Sequence, residues 1–218
     1  MICALAFTCV MMAGCADRSG DEREAYIVRP QDTLYSIAWR YGLDFHDLAR
    51  WNNIGPDFRI SVGQALSLSP GRGAVATQVP STTQSTANGA LHAPPAVAAR
   101  GWGWPTDRMG APRPVTGGGV LLPGSLGQEI RAASAGKVVY TGSGIRGYGN
   151  LVIIKHGENL LSAYAHNRDV LVREGQEVAL GQVIAHMGEG GPQKPVLYFE
   201  IRRNGKPIDP LRFLSEIK

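Results

Sequence analysis

The sequence predicts two folded units of different class: a small β-α-α-β module and a mainly antiparallel β domain. Residues 34–41 carry apolar side chains at helical spacing between residues that cap helices. Beyond residue 100, short β-type runs alternate with turns, and 20 of the 28 glycines fall there. A chain of 218 residues is long enough for one β core and one small module.

The β-α-α-β module is predicted for residues 25–69. Thr33 and Asp32 are N-cap candidates for a first helix that Gly42 would end, and Asp44 would cap a second. The apolar stripe of the first helix is Leu34, Ile37, Ala38 and Tyr41, and that of the second is Phe45, Leu48 and Ala49. Residues 26–28 and 65–68 have strand character, so the helices stand between two strands.

The β domain is predicted for residues 101–218. Six runs are typical of strands: 137–140, 151–154, 160–164, 170–172, 182–185 and 197–201. This part of the sequence shows no helical stripe, which favours an antiparallel sheet with a groove.

The N-terminal 14 residues carry no charged side chain and are too short to span a membrane, as in an export signal. Met12-Ala13-Gly14-Cys15 resembles a bacterial lipobox, which implies lipidation of Cys15. Ala16, rather than Asp, after the cysteine then implies the outer membrane, facing the periplasm. The alternative is a buried N-terminal helix, but the charged residues that follow indicate a solvated tether at 15–24.

Residues 70–100 contain four prolines and two charged residues, which predicts a flexible linker. The net charge of +4 and the lack of a Lys/Arg-rich run argue against a nucleic-acid partner.

The first unit resembles a LysM domain over its whole length of about 45 residues. The matching motifs include Asp32-Thr33-Leu34, Tyr41-Gly42, Trp51-Asn52-Asn53 and Val62-Gly63-Gln64, with Gln31 where the family usually has glycine. The resemblance implies binding of N-acetylglucosamine in peptidoglycan through two loops and the residues just beyond them. These are Gln31, Asp32, Thr33, Leu34, Asn53, Ile54, Gly55, Pro56, Arg59 and Ile60. The alternative is that these residues only cap and staple the module.

The second unit resembles the LytM (M23) metallopeptidase domain over residues 102–214. The matching segments are 127–133, 136–142, 148–150, 164–166, 172–178 and 199–201. Active members of that family cut peptide cross-links in peptidoglycan. They bind zinc through H-x-G-x-D and H-x-H segments, and a histidine in a Y-x-H segment assists.

The zinc ligands of that family correspond here to Gly117 and Leu121 in the first segment and to Tyr198 in the second, whereas Val196 stands at the first histidine of H-x-H, which assists the chemistry. Only His166 of the Y-x-H segment is retained. Catalytic zinc needs three protein ligands at ~2.0–2.2 Å, so no metal cofactor and no peptidase activity are predicted. The alternative is a site rebuilt from His156, Asp169, His186 and Glu200, whose spacing matches no familiar zinc pattern.

A lipoprotein with a LysM domain and a degenerate LytM domain resembles the NlpD/EnvC group of amidase activators. Residues 145–150, 162–167 and 207–214 match that group. The resemblance implies activation of N-acetylmuramoyl-L-alanine amidases that split septal peptidoglycan, with enrichment at the division septum. The predicted partner groove comprises Arg146, Tyr148, Tyr164, His166, Tyr198, Leu121, Val196 and Gly117. Tyr148 and Tyr164 could instead fill the β core.

Two other functional classes remain open at this point. One is a peptidoglycan DD-metalloendopeptidase with a rebuilt zinc site. The other is a passive tether that links the outer membrane to the glycan through its lipid and its LysM domain.

Overall fold

The computed structural model describes residues 25–70, 101–107, 109–190 and 194–214. The predicted signal peptide, Cys15, the tether and nearly all of the predicted linker lie outside the described residues.

The first unit has the predicted order β1 (Ala25–Ile27), α1 (Leu34–Tyr41), α2 (Phe45–Trp51) and β2 (Ala65–Ser67). The two strands pair antiparallel, with Tyr26 opposite Leu66. Both predicted helices are confirmed, and local hydrogen bonds explain where they begin and end.

Helix α1 begins with a capping box, because the Thr33 hydroxyl accepts from the Ser36 amide while the Ser36 hydroxyl accepts from the Thr33 amide. It ends at Gly42, whose φ of 66° is left-handed. The Asp44 carboxylate accepts from the backbone amides of His46 and Asp47 and so begins α2. Asp32 does not cap a helix.

The second unit is an antiparallel sheet with the order β3-β4-β11-β8-β7-β6-β9. Strand β10 pairs with β5 and β8, and β12 pairs with β11. The elements are β3 (Arg113–Pro114), β4 (Val120–Pro123), β5 (Glu129–Arg131), β6 (Gly136–Gly142), β7 (Asn150–His156), β8 (Leu160–Val170), β9 (Glu177–Val178), β10 (Val183–Met187), β11 (Val196–Arg203), β12 (Lys206–Ile208) and α3 (Pro210–Leu214).

The mainly antiparallel β class is confirmed, but the elements differ in part from the sequence-based prediction. The short strands β3, β4, β5, β9 and β12 lie outside the six predicted runs. The run at 170–172 is not a separate strand, since β8 continues to Val170 and then ends. The five-residue helix α3 follows Asp209, whose carboxylate accepts from the Leu211 amide. It was not predicted, because one helical turn is too short to show a periodic stripe.

The sheet is apolar on both faces because side chains alternate along each strand. On β7, Val152 and Ile154 belong to one buried cluster, whereas Leu151 and Ile153 belong to the other. The first cluster is the core of the β domain itself. The second continues into the LysM unit, so the LysM unit packs on the second face of the sheet.

Hydrogen bonds and cation–π contacts also join the two units. The Arg202 guanidinium lies 3.7 Å from the ring centre of Trp39 and donates to the Trp39 carbonyl at 2.7 Å. Arg40 donates to the Gly144 carbonyl at 3.3 Å, and the Lys155 ammonium lies 5.5 Å from the Phe45 ring centre. No helix in the described ranges is long and apolar enough to cross a membrane.

Candidate functional site

Three neighbouring strands bring part of the predicted groove together. Leu121 on β4 lies opposite Tyr198 on β11, and Tyr198 lies opposite Ala165 on β8, next to His166. The rings of His166 and Tyr198 are 6.2 Å apart, and those of Tyr148 and Tyr198 are 5.5 Å apart. Tyr148, His166 and Tyr198 therefore form one half-buried surface beside Leu121.

The Tyr198 ring occupies space that the glycine run at 117–119 leaves free. A Cβ on Gly119 would lie 2.6 Å from the Tyr198 hydroxyl, and Gly119 has a φ of +83°. The Tyr198 hydroxyl is also 3.0 Å from the Gly118 carbonyl. Gly117 is exposed at the end of this run, and a Cβ there would meet nothing within 4 Å.

The Tyr198 hydroxyl donates to Glu200 at 2.7 Å, and Arg202 Nε donates to the other carboxylate oxygen at 2.7 Å. Glu200 is 1% exposed, so this carboxylate is buried and paired. Burial, and then the charge of Glu200, raise the pKa of Tyr198 well above its ordinary value. Tyr198 is therefore a neutral hydrogen-bond donor at physiological pH.

His166 holds a left-handed backbone, with a φ of 64°. Its amide donates to the Tyr148 carbonyl at 2.9 Å, and its carbonyl accepts from Gly188 at 2.8 Å. Burial lowers the pKa of His166, so its imidazole is neutral near pH 7.

Two residues of the predicted groove are not available to a partner in this structure. Tyr164 is 0% exposed, and its hydroxyl accepts from the Ala133 amide at 2.8 Å within the β core. Val196 is 1% exposed. These two assignments were wrong. Strand alternation turns Tyr164 to the core face, and Val196 is covered by β4 and Gly190. Arg146, by contrast, is exposed in the loop before β7.

Sequence reasoning missed three residues at this surface, and it considered a fourth, Glu200, only as a ligand of a rebuilt metal site. Arg113 on β3 lies opposite Leu121, which lies opposite Tyr198 on β11. The three residues therefore form one cross-strand row that ends at the exposed Arg113. Glu200 and Arg202 follow Tyr198 at every second position of β11, a spacing that indicates one shared face. Trp39 of α1 packs edge-on against Tyr148, with ring centres 6.5 Å apart.

The histidines weighed for a rebuilt metal site lie elsewhere. His156 is buried, and its ring nitrogens bond the Ala135 carbonyl at 2.8 Å and the Ser162 hydroxyl at 2.7 Å. His186 pairs with Asp169 across β10 and β8. Within the described ranges, no three His, Cys, Asp or Glu residues are grouped so that they could hold a metal ion.

Half of the predicted glycan contacts line a single cleft of about 630 Å³. They are Asp32, Thr33, Pro56, Arg59 and Ile60. The opposite wall belongs to the β domain, where Lys137, Lys155 and Glu174 face the same space. Sequence reasoning missed this wall, because nothing in the sequence indicates that the LysM loops lie against β6 and β7.

The other predicted glycan contacts lie outside this cleft. Leu34 is 0% exposed in the LysM core, which corrects its assignment as a surface contact. Gln31 and Asn53 are exposed with φ values of 68° and 54°. Gly55 is exposed beside Pro56, and Ile54 packs partly against the second apolar cluster.

Each of the two units matches a known protein family, and known proteins align with nearly the whole chain. Residues 26–69 match the LysM domain family, and residues 116–210 match peptidase family M23. The chain is 41% identical to the lipoprotein NlpD/LppB homolog of Pseudomonas aeruginosa, over 96% of this chain and 90% of that protein. It belongs to the NlpD family.

Two other relatives carry informative names. The murein hydrolase activator NlpD of Escherichia coli K12 is 37% identical over 88% of this chain and 68% of that protein. The outer membrane antigenic lipoprotein B of Histophilus somni is also 37% identical, over 88% of this chain and 67% of its own length. Of these three relatives, one is therefore named as a murein hydrolase activator and two are named as lipoproteins.

Proposed function

We propose that this chain is a non-catalytic, peptidoglycan-binding activator of a periplasmic N-acetylmuramoyl-L-alanine amidase. The amidase would hydrolyse septal cell wall during daughter-cell separation. The observation that carries the proposal is the Tyr198–Glu200–Arg202 network, which fills the place where the M23 family resemblance puts a zinc ligand.

The side chains at the family's zinc positions do not fit a zinc ion. Gly117 and Leu121 have no donor atom, and the neutral Tyr198 phenol already donates to Glu200. The Glu200 carboxylate is itself committed to Arg202. Catalytic zinc needs three ligands and an open position, so this surface supports binding rather than hydrolysis.

The surface suits a protein partner. Tyr148, His166 and Tyr198 present aromatic edges beside the apolar side chain of Leu121, and Arg146 stands exposed nearby. Aromatic and arginine side chains are favoured anchors at protein interfaces. We therefore assign contact with the amidase to these five residues.

Activation requires differential affinity. The resemblance to the NlpD/EnvC group implies that the activator displaces a helix that blocks the amidase's own zinc. To do so, the groove must bind the open amidase more tightly than the closed one, because equal affinity would shift nothing.

The LysM unit and the lipid at Cys15 would raise the local concentration of the activator on peptidoglycan facing the outer membrane, with enrichment at the septum. One LysM copy binds glycan through a single shallow site, and a second attachment through the lipid increases the overall avidity.

The test is dye release from labelled sacculi by the full chain in detergent, alone and with a periplasmic amidase of the same organism. We expect no release by the chain alone, with or without zinc, and release with the amidase above the level of the amidase by itself. Tyr198→Ala should abolish the stimulation without unfolding the domain. Chelator-sensitive release by the chain alone would establish a metallopeptidase. Glycan binding without stimulation would establish a tether.

A further inference from the structure

A second cleft, of about 600 Å³, lies between the LysM unit and the β domain on the other side of their contact. Arg29, Arg40 and Tyr41 line it from the LysM side, and Arg146 and Tyr148 line it from the loop before β7. Trp39 and Arg202 also border it, so it adjoins the proposed partner groove at Tyr148.

The cleft is basic. Four arginines line it, namely Arg29, Arg40, Arg146 and Arg202, and no Asp or Glu is among its described lining residues. Arg40 and Arg202 are paired with Asp32 and Glu200, which stand outside the lining. Arg29 and Arg146 form no ion pair with any residue in the described ranges. Two exposed guanidinium groups, one from each unit, therefore face this space without an ion-pair partner among the residues that the structure describes.

Two hydrogen bonds hold the two walls of this cleft at a fixed spacing. Arg40 donates to the Gly144 carbonyl at 3.3 Å, and Arg202 donates to the Trp39 carbonyl at 2.7 Å. Trp39 is 2% exposed between the units. A ligand entering this cleft meets a site that is already formed, which reduces the ordering cost of binding.

We infer that this composite cleft binds an acidic segment of the partner amidase, with Arg29 of the LysM unit and Arg146 of the β domain pairing with its carboxylates. The inference rests on the proposed function. It adds that the LysM unit contributes to amidase binding and that the bound segment is acidic. Arginine forks match carboxylates in geometry, and the neighbouring tyrosines supply the apolar contact that a protein segment also needs. Because Tyr148 lines the cleft and also contacts Tyr198, a segment in the groove can continue into the cleft.

The LysM unit then has a direct role in activation, separate from its attachment to glycan. Its wall of the cleft would raise affinity for the amidase even in the absence of peptidoglycan. Charge complementarity of this kind acts strongly on association rate and is weakened by salt.

The experiment compares the full chain in detergent with Arg29→Glu, Arg146→Glu and the double variant. Arg173→Glu, an exposed arginine on a loop outside this cleft, is the matched control. Affinity for the amidase is measured by calorimetry between roughly 50 and 500 mM NaCl, over which the screening length falls about threefold. Stimulated dye release is measured in parallel, and circular dichroism checks folding.

We expect each single variant to weaken amidase binding by about tenfold at low salt. The double variant should bind more tightly as the salt concentration rises, because salt screens the repulsion that the two glutamates introduce. Arg173→Glu should bind like wild type. Arg29→Gln and Arg146→Gln should give intermediate losses, as expected for removal of charge without reversal.

The outcomes separate the inference from the proposed function. Normal amidase binding and stimulation by Arg29→Glu would overturn the inference and leave the activator role intact. Loss of binding to purified sacculi with unchanged amidase binding would overturn it in favour of the carboxylates of peptidoglycan. Absence of stimulation by the wild-type chain would overturn the proposed function itself.

Discussion

Arg202 stacks on Trp39 of the LysM unit while its Nε pairs with the buried carboxylate of Glu200. One guanidinium thus connects the Tyr198–Glu200 network with helix α1 of the other unit. A planar guanidinium can stack and donate at the same time, which a lysine ammonium cannot do. The two units are therefore coupled through the residues that support the proposed groove.

Removing Arg202 should be more harmful than removing the whole ion pair. Arg202→Met leaves the buried Glu200 carboxylate without its cationic partner, which costs about 3–5 kcal/mol of unfolding free energy. Arg202→Met combined with Glu200→Gln should recover most of that loss. Urea unfolding of the two variants measures the difference. Equal destabilisation would contradict an essential charge pairing at this position.

The glycine run beside Tyr198 gives a matched pair of substitutions. Gly119→Ala would put a Cβ 2.6 Å from the Tyr198 hydroxyl, so the ring must move and the groove surface is lost. Gly117 has an equally left-handed φ of +94°, but a Cβ there meets nothing within 4 Å. Both variants should carry backbone strain of about 1 kcal/mol. Only Gly119→Ala should lose amidase stimulation, as measured by dye release. If both variants lost it equally, backbone strain rather than the position of Tyr198 would be responsible.

His156 should make the β domain less stable in acid. Burial lowers its pKa to about 4 from the ordinary 6.5, so between these values the unfolded chain binds a proton that the folded chain does not. Stability from this source is unchanged above pH 6.5 and falls as the pH decreases toward 4. The loss at pH 5 relative to pH 7.5 should be about 2 kcal/mol.

Urea unfolding at both pH values, for the wild type and for His156→Gln, measures that contribution. The glutamine variant should be less stable at pH 7.5, since it replaces a ring bonded at both nitrogens. Its stability should decrease less on acidification. An identical pH dependence in both proteins would show that other groups control it.

Much of this fold could be predicted because its signals are local. Thr33 and Asp44 begin the helices through side-chain hydrogen bonds to nearby backbone amides, and Gly42 ends α1 through its left-handed backbone, so the sequence around them is sufficient. Tyr164 and Leu34 were placed wrongly, because a resemblance gives a position in the chain but not the face to which a side chain turns. Strand alternation and helix packing decide that face.

The contact between the units was the largest feature not predicted. Trp39 lies off the apolar stripe of α1, and a large apolar residue in that position was the available signal for a second buried face. Its partner on the sheet could not be identified, because the contact joins residues 163 positions apart with the linker between them.

Glycan binding by the cleft of about 630 Å³, which holds half of the predicted glycan contacts, should depend on both walls of that cleft. Ile60→Asp places a charge among the LysM residues that line it, and Lys137→Ala removes a cation from the wall that β6 supplies. Val62→Asp is the control, since Val62 is 66% exposed in the same unit and does not line the cleft. Co-sedimentation of the full chain in detergent with purified sacculi measures the affinity. We expect Ile60→Asp to weaken binding by about tenfold, Lys137→Ala by a smaller factor, and Val62→Asp not at all. Unchanged binding by Lys137→Ala, with a loss in Ile60→Asp, would confine glycan recognition to the LysM loops.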